Sequence, residues 1–236
     1  MLEERPMLEL VAPPKWIGET LRYRTRARAK RAFATVLDAA EVFPDGGTAT
    51  VRFEKKEDAG VALSVSMEMR NGHAEDRIEH AADMRLRRLE RRVVEPNDAR
   101  SRHEIIEFAS TTHVIPTCTY VDTSTPFVLS GQPFDGKRRS MYLWICDRFV
   151  AKVYYESHGH QKTEVPAGRI ETTEMLLYPD LNDWVPLPSI ITRLSKPFLP
   201  KYHMWYEREA PHRLVRFEGP LGPPGAPEIV IELASR

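Results

Sequence analysis

The sequence carries Tyr and Trp side chains whose chemistry suits the wall of an apolar pocket. Such a ring presents a flat apolar face and a polar edge, so it can hold a bulky hydrophobic ligand or pack as ordinary core. The candidate ligand-binding rings are Tyr142, Trp144, Trp184, Tyr202 and Trp205. Arg88 and His203 are candidates for polar groups at the mouth of the pocket. Trp205 is predicted to lie on a strand that faces the main cavity.

Catalysis by this chain would require an acid–base pair inside the same cavity. The carboxyl candidates are Asp122 and Glu218, and the imidazole candidates are His113 and His203. No Gly-x-Ser-x-Gly, His-Glu-x-x-His, Walker or dinucleotide-binding glycine pattern occurs in the sequence. The catalytic residues are therefore unknown at this stage, and the sequence predicts no cofactor.

The sequence gives weaker support to a metal site and to a catalytic cysteine. His158 and His160 can clamp a metal ion if both rings share a strand face, but a solvated hairpin tip is the simpler interpretation, and no metal site is predicted. Cys118 lies five residues from His113, a spacing that suits neither a strand face nor a helix face. Cys146 ends the apolar run MYLWIC and is expected in the core. Neither cysteine is expected to be catalytic or disulfide-bonded.

The charge balance and hydropathy exclude some partners. The chain of 236 residues has 34 Lys and Arg and 34 Asp and Glu, so bulk electrostatics disfavours nucleic-acid binding. The arginine run within 85–92 can meet an anionic headgroup, although interspersed acids favour a solvated face. No apolar stretch is long enough to span a membrane or to form a signal peptide. The sequence as it stands indicates a cytoplasmic protein, or a periplasmic one if a signal peptide was removed.

The elements that would position these residues are mainly strands. In VALSVSMEM, residues 61–69, apolar side chains alternate with small or polar ones, and the Asn71-Gly72 turn dipeptide follows. Similar strands are expected at the positions 141–146, 149–155, 163–178, 212–218 and 228–233. Turn signals every 8–12 residues favour an antiparallel meander that forms a curved sheet or barrel around a hydrophobic cavity.

Several stretches are less clear. Ile78, Ala82, Leu86, Leu89 and Val93 follow a helical spacing, yet turn dipeptides bracket the stretch 77–94 at the spacing of a meander, so both strand and helix remain open. Residues 32–43 show a similar helical pattern. One short helix is predicted near 188–195, between two prolines. The loop GPLGPPGAP, 219–227, reads as a stiff connector or a Pro-rich docking segment.

Three short motifs carry a family resemblance over roughly residues 15–233. They are Gly-Glu-x-Leu-x-Tyr at 18–23, Pro-Ala-Gly at 166–168 and a tryptophan strand within 203–219. In this order they resemble an uncharacterised bacterial family of β-rich envelope proteins, classed as a domain of unknown function. The resemblance implies a curved antiparallel sheet similar to lipoprotein-carrier half-barrels, which wrap a greasy cavity, and it favours strands over 77–94. It carries over no catalytic residue.

These observations lead to two functional hypotheses and one domain division. The chain is predicted to have an N-terminal extension, 1–14, and a single β-barrel-like domain, 15–236. The favoured hypothesis is a non-catalytic protein that binds a lipid or another hydrophobic small molecule. The alternative is a barrel enzyme, an isomerase, cyclase or hydrolase, that acts on an apolar substrate with a His/carboxylate pair. An interaction scaffold that presents sheet edges is a third possibility, and the oligomeric state is unknown.

Overall fold

We analysed a computed structural model of the chain, which describes residues 7–27, 46–69, 72–94, 101–111, 114–146, 149–180, 201–220 and 228–236. Strands dominate these residues. They are β1 (Met7–Leu8), β2 (Thr20–Ala27), β3 (Gly47–Lys55), β4 (Val61–Met69), β5 (Gly72–His80), β6 (Leu86–Val94), β7 (Arg102–Glu107), β8 (Thr119–Val121), β9 (Arg139–Cys146), β10 (Phe149–Val165), β11 (Gly168–Pro179), β12 (Tyr202–Glu207), β13 (Leu214–Pro220) and β14 (Glu228–Ser235). One short helix, α1 (Thr125–Val128), continues into a 3-10 turn, Leu129–Gly131.

The strands form one curved, mostly antiparallel sheet, as the sequence predicts. Its order is β1-β9-β10-β11-β12-β13-β14-β2-β3-β4-β5-β6-β7, and β8 lies beside β9. The pairs β1–β9 and β8–β9 are parallel, and the other described pairs are antiparallel. Most neighbours in the sheet are also neighbours in sequence, which is the pattern of a meander.

Strand alternation builds the core on one face of this sheet. In β2 and β3 every second side chain is buried, including Leu21, Tyr23, Val51 and Phe53. Burial of one such side chain stabilises the fold by about 1.5–3 kcal/mol. The N-terminal residues join the same core, because Val11 is buried and its N–H donates to the Tyr120 hydroxyl at 2.8 Å.

A buried plug fills much of this concave side. The plug consists of α1 and the following 3-10 turn, residues 125–131, and its Phe127 ring lies 5.7 Å from the Tyr23 ring. Tyr206 on β12 donates to the carbonyl of Pro126, and the Trp16 indole donates to Ser130 at 2.9 Å. A Cβ at Gly131 would stand 1.8 Å from a backbone oxygen, so only glycine allows this close approach.

The two ends of the sheet approach each other through a second, smaller core that we call the seam. It combines β5, β6 and β7 from one end with β8 and β9 from the other. Its buried members are Ile78, Leu89, Ile106, Phe108, Val121 and Trp144. Among the described strands, no backbone pairing joins β7 to β8 or β9, and the buried side chains of the seam bring the two ends into contact.

The strand interpretation of 77–94 is confirmed. β5 and β6 are antiparallel partners, and a tight turn at 81–85, with Met84 at a φ of 66°, separates them. Ile78 pairs directly with Leu89 across the two strands. Of the residues with the helical spacing, Ile78 and Leu89 are buried in the seam whereas Ala82 is exposed in the turn, so the spacing does not mark one buried face.

Other sequence expectations have mixed outcomes. β6 and β7 form an antiparallel pair, and both thiols are free. Cys146 is exposed, so its assignment to the core is wrong: it ends β9, beyond the covered part of that strand. The segment 32–43 and the helix predicted near 188–195 lie outside the described residues, as does most of the loop 219–227. The division into 1–14 and 15–236 stays a prediction.

Candidate functional site

An apolar pocket lies between the plug and the concave face of the sheet. Its side chains come from β9, β11, β12, β13 and α1, and from the residue after β8. They are Asp122, Thr125, Pro126, Leu143, Leu177, Tyr202, Met204, Phe217 and Pro220. The space between their atoms is about 300 Å³ including its open side, and the enclosed part has room for about one water molecule.

Strand alternation explains why this pocket is apolar. Leu177, Met204 and Phe217 are inward-facing residues of three adjacent strands, and all are buried. Thr125 has its hydroxyl bound to the carbonyl of Val121 at 3.0 Å, so it offers little free polarity. Among the lining residues, only Asp122 and Tyr202 are partly exposed, and the others are buried.

Asp122 brings a carboxyl group into this apolar lining. It directly follows β8, and its backbone N–H donates to the carbonyl of Trp144 at 3.1 Å. Its Oδ1 atom is buried and accepts no hydrogen bond from the described residues. Burial raises the pKa of Asp122 to about 6, Arg91 opposes that rise and the charge of Asp76 adds to it. This carboxyl group therefore titrates close to neutral pH.

Arg91 on β6 stands between two carboxylates but pairs closely with only one of them. Its Nε and Nη2 atoms donate to Asp76 at 2.7 and 2.6 Å, while Nη2 is 3.6 Å from Asp122 Oδ1. Thr123 donates a further hydrogen bond to Asp76. Burial alone would lower the pKa of Arg91, but the bonds and charges of the two carboxylates raise it, so Arg91 stays cationic.

This charged group lies at the seam. Asp76 and Arg91 come from β5 and β6 at one end of the sheet, whereas Asp122 follows β8 at the other end. The guanidinium carbon of Arg91 lies 5.9 Å from the centre of the Trp144 ring, within reach of a cation–π contact. The hydrogen bond from Thr123 to Asp76 therefore joins the two ends, and Asp122 also lines the pocket.

Of the candidate ligand-binding rings, Tyr202 lines the pocket. Trp144 lies next to the pocket residue Leu143, but strand alternation turns its ring to the seam, 5.5 Å from Phe108. Tyr142 is half-buried on β9 and is not among the lining residues of the described pocket. Trp184 lies outside the described residues.

His203 and Trp205 lie on the other face of β12 from Met204 and Tyr206. Their rings stack at 5.8 Å, and His203 Nδ1 is 2.6 Å from a carboxylate oxygen of Glu174. Trp205 is on a strand as predicted, but the prediction that it faces the main cavity is corrected. The alternation of β12 gives the inward positions to Met204 and Tyr206.

The polar residues predicted for the mouth of the pocket and for the acid–base pair do not lie together. Arg88 forms ion pairs on the half-exposed face of β6 with Glu79, Glu90 and Glu107, away from the described pocket. Glu218 on β13 pairs with Arg216. His113 lies outside the described residues. Of the three acid–base candidates within the described residues, Asp122 is the one that lines the pocket.

Sequence reasoning missed Arg91 and Asp76 as parts of this site. Arg91 was one of a run of arginines, and Asp76 one of many acids, so composition gave neither a special role. Their signal is the strand alternation itself, since Asp76 shares the inward face of β5 with Ile78. In the described part of the chain, no group of three or more His, Cys, Asp and Glu side chains is placed to hold a metal ion.

Comparisons with known proteins give distant likenesses. No family model and no curated protein matches the chain. Among solved structures, the chain is similar to a protein described as a lipoprotein from Parabacteroides distasonis, with 8% identity over 96% of this chain and 98% of the other, at a TM-score of 0.36. It is similar to an exported protein with a YmcC-like fold from Bacteroides fragilis, with 12% identity, 96% and 98% coverage and a TM-score of 0.33.

A third similar structure is the Mycobacterium tuberculosis lipoprotein LppX, with 12% identity over 90% of this chain and 83% of the other, at a TM-score of 0.25. All three TM-scores are below 0.5, so no functional conclusion rests on them, and the envelope-protein family stays a prediction. Within the described residues, no helix has the length and apolar character needed to cross a membrane.

Proposed function

We propose that this protein binds a hydrophobic small molecule or the chain of a lipid in the pocket on the concave face of its sheet. The observation that carries the proposal is the lining itself, in which buried Leu, Met, Phe and Pro side chains surround the space together with the partly exposed Tyr202 ring. Pockets for small ligands are generally lined in this way, with few polar groups. Each methylene group that leaves water there contributes about 0.8 kcal/mol to binding.

The narrow inner space defines how such a ligand would sit. The enclosed part accepts a group the size of a water molecule, so the bulk of an apolar ligand would lie toward the open side. Tyr202 begins β12 and Pro220 ends β13, and both belong to the same end of that hairpin. We expect an apolar chain to run along this end, past the Tyr202 ring.

A blocking substitution tests the proposal. Leu177→Phe adds volume inside the pocket, so we expect a clear loss of affinity for an uncharged, environment-sensitive hydrophobic probe such as N-phenyl-1-naphthylamine, measured by fluorescence titration. The control is Val114→Phe, an exposed site that should leave affinity unchanged. Native mass spectrometry of the freshly purified protein should also show a bound hydrophobic molecule. Equal probe affinity in wild type, Leu177→Phe and Val114→Phe would contradict the proposal.

One observation favours a second candidate function, an enzyme that acts on the same kind of ligand. A carboxyl group with a pKa of about 6 in an apolar pocket is suited to acid–base catalysis near neutral pH. An isomerase, cyclase or hydrolase would use Asp122 in this way. Turnover of the bound molecule that disappears in Asp122→Asn would support the enzyme, whereas release of the molecule unchanged would support the binding protein.

Three further expectations remain proposals. They are a single domain over 15–236, a cytoplasmic or periplasmic location, and a hydrophobic small molecule or lipid as the partner. Limited proteolysis of the purified chain tests the first of these, because one domain should yield one protected fragment that covers β2 to β14.

A further inference from the structure

Asp122 lines the pocket, and its Oδ1 atom has only a long contact of 3.6 Å with Arg91 Nη2. The side chain is only 10% exposed, and its Oδ1 atom has no hydrogen-bond donor among the described residues. A buried acceptor without a donor destabilises the folded protein. A ligand that donates a hydrogen bond at this point would offset that loss of stability, which a purely apolar ligand cannot do.

The charges around Asp122 favour a donor that is also a cation. Arg91 is the one cation within 4 Å of Asp76 and Asp122 among the described residues, and both of its short contacts go to Asp76. With both carboxylates ionised, the group carries a net charge of about −1. A positively charged ligand group would neutralise it, whereas an anionic group would meet two carboxylates at low dielectric.

The aromatic rings and the size of the enclosed space indicate which kind of cationic group the pocket would hold. Tyr202 and Phe217 line the same pocket with their ring centres 6.2 Å apart, and aromatic faces attract cations. The enclosed space has room for about one water molecule, which is the size of a primary ammonium group. A trimethylammonium group is several times larger and would not fit.

We propose that the pocket binds an amphiphile that ends in a primary ammonium group. The ammonium donates a hydrogen bond to the Asp122 carboxylate, and the apolar chain lies against the apolar lining of the pocket next to Tyr202. This inference rests on the proposed function, since it needs the same apolar pocket. It adds the chemical class of the ligand and names the residue that recognises its polar end.

The proposal carries a pH dependence. The groups that face Asp122 are Asp76 on β5, Arg91 on β6 and Tyr202 on β12, and the pKa of Tyr202 is raised by burial and then by Asp122. With a pKa of about 6, Asp122 is mostly ionised at pH 7 and mostly protonated at pH 5. An alkylammonium keeps its charge over this range, so affinity should fall about tenfold from pH 7 to pH 5.

Isothermal titration calorimetry at pH 7.5 tests the class of ligand with probes that share one chain. They are dodecylamine, dodecanol, dodecyltrimethylammonium and dodecanoate, each below its critical micelle concentration. We expect dodecylamine to bind at least about tenfold more tightly than dodecanol, since a hydrogen bond to a charged group is worth about 1.5–3 kcal/mol. Dodecyltrimethylammonium and dodecanoate should bind more weakly than dodecanol.

Two matched variants test whether Asp122 recognises the ammonium group. Asp122→Asn keeps the shape and removes the charge, so dodecylamine should lose about tenfold in affinity and its pH dependence, while dodecanol binding should stay the same. Asp58→Asn is the control, because Asp58 is an exposed carboxylate away from the pocket. If Asp122→Asn does not fold, the pH profile of dodecylamine binding to the wild type remains a test of the same claim.

The outcomes separate this inference from the proposed function. Equal affinity for dodecanol and dodecylamine, unaffected by Asp122→Asn, would overturn the ammonium proposal and leave the apolar pocket intact. Failure of all four probes would overturn both. Lysophosphatidylethanolamine, whose primary ammonium adjoins a phosphate, distinguishes the source of the group: binding would indicate a lipid headgroup, and its failure beside tight dodecylamine binding would indicate a simple amine.

Discussion

Two regions of the molecule each bury a carboxylate beside arginine, but the pKa of the carboxylate is lowered in one region and raised in the other. On β14, Glu232 lies 2.7 Å from Arg24, 3.2 Å from Arg26 and 3.2 Å from Arg216. Burial alone would raise the pKa of Glu232, but the hydrogen bonds from these arginines outweigh burial and its pKa is lowered. At the seam, Asp122 shares one arginine with Asp76 and its pKa is raised.

The difference indicates which region is structural and which is available for a ligand. Three arginines more than balance the negative charge of Glu232. This carboxylate therefore stabilises the contact between β2, β13 and β14 without a ligand. Asp122 is under-compensated, in the way that carboxyl groups of functional sites often are. Its burial costs stability in the free protein, and a cationic ligand would reduce that cost.

Removal of the seam arginine should have the largest effect on stability. Arg91→Met leaves two buried carboxylates without a cation, so we expect a loss of about 3–5 kcal/mol in the free energy of unfolding at pH 7.5. Urea unfolding followed by circular dichroism measures it. Arg92→Met on the same strand is the control, since Arg92 is exposed and should contribute less than about 1 kcal/mol. Similar losses in both variants would contradict the role given to Arg91.

Neutralisation of Glu232 should have a smaller but clear effect. Glu232→Gln should cost about 1–3 kcal/mol, because three arginines lose their shared partner, although Arg24 and Arg26 can recover water. That corresponds to a fall of roughly 2–4 °C in melting temperature per kcal/mol for a chain of this size. Glu171→Gln, at an exposed site paired with Lys162, should leave the melting temperature nearly unchanged. A Glu232→Gln protein as stable as wild type would remove the contrast between the two regions.

Neutralisation of Asp122 should have the smallest effect on stability, and the opposite sign. The pKa of Asp122 is above its unfolded value, so its protonated form stabilises the fold at low pH and this contribution is lost as pH rises through about 6. Asp122→Asn should therefore be as stable as wild type or more stable at pH 7.5. The gap should narrow as pH falls toward 5. Chemical denaturation across this range measures it, and a variant much less stable at pH 7.5 would show that ionised Asp122 supports the fold.

The sequence predicted the strands well because they carry local signals. The alternation in residues 61–69 predicted β4 with its observed bounds, and Asn71-Gly72 predicted the hairpin to β5. Where local signals conflicted, over 77–94, the bracketing turn dipeptides were a better guide than the periodicity, because a two-strand hairpin can imitate a helical spacing.

The site was predicted less well because it depends on the curvature of the sheet. Asp76 and Asp122 are far apart in sequence and meet only when the ends of the sheet approach each other at the seam. Tyr202 is among the residues that line the pocket, and its role in ligand binding stays a prediction. Trp205 and Trp144 were chosen for ring size, but strand alternation places both rings away from the pocket.

The most direct test of the under-compensated carboxyl group is its own titration. In protein labelled with ¹³C at aspartate, the Asp122 carboxyl signal, assigned by its loss in Asp122→Asn, can be followed by NMR from pH 4 to pH 8. We predict a midpoint near pH 6 in the free protein, and a lower midpoint when dodecylamine is bound. A midpoint near 4, as for an exposed aspartate, or one that does not move with dodecylamine bound, would contradict the account.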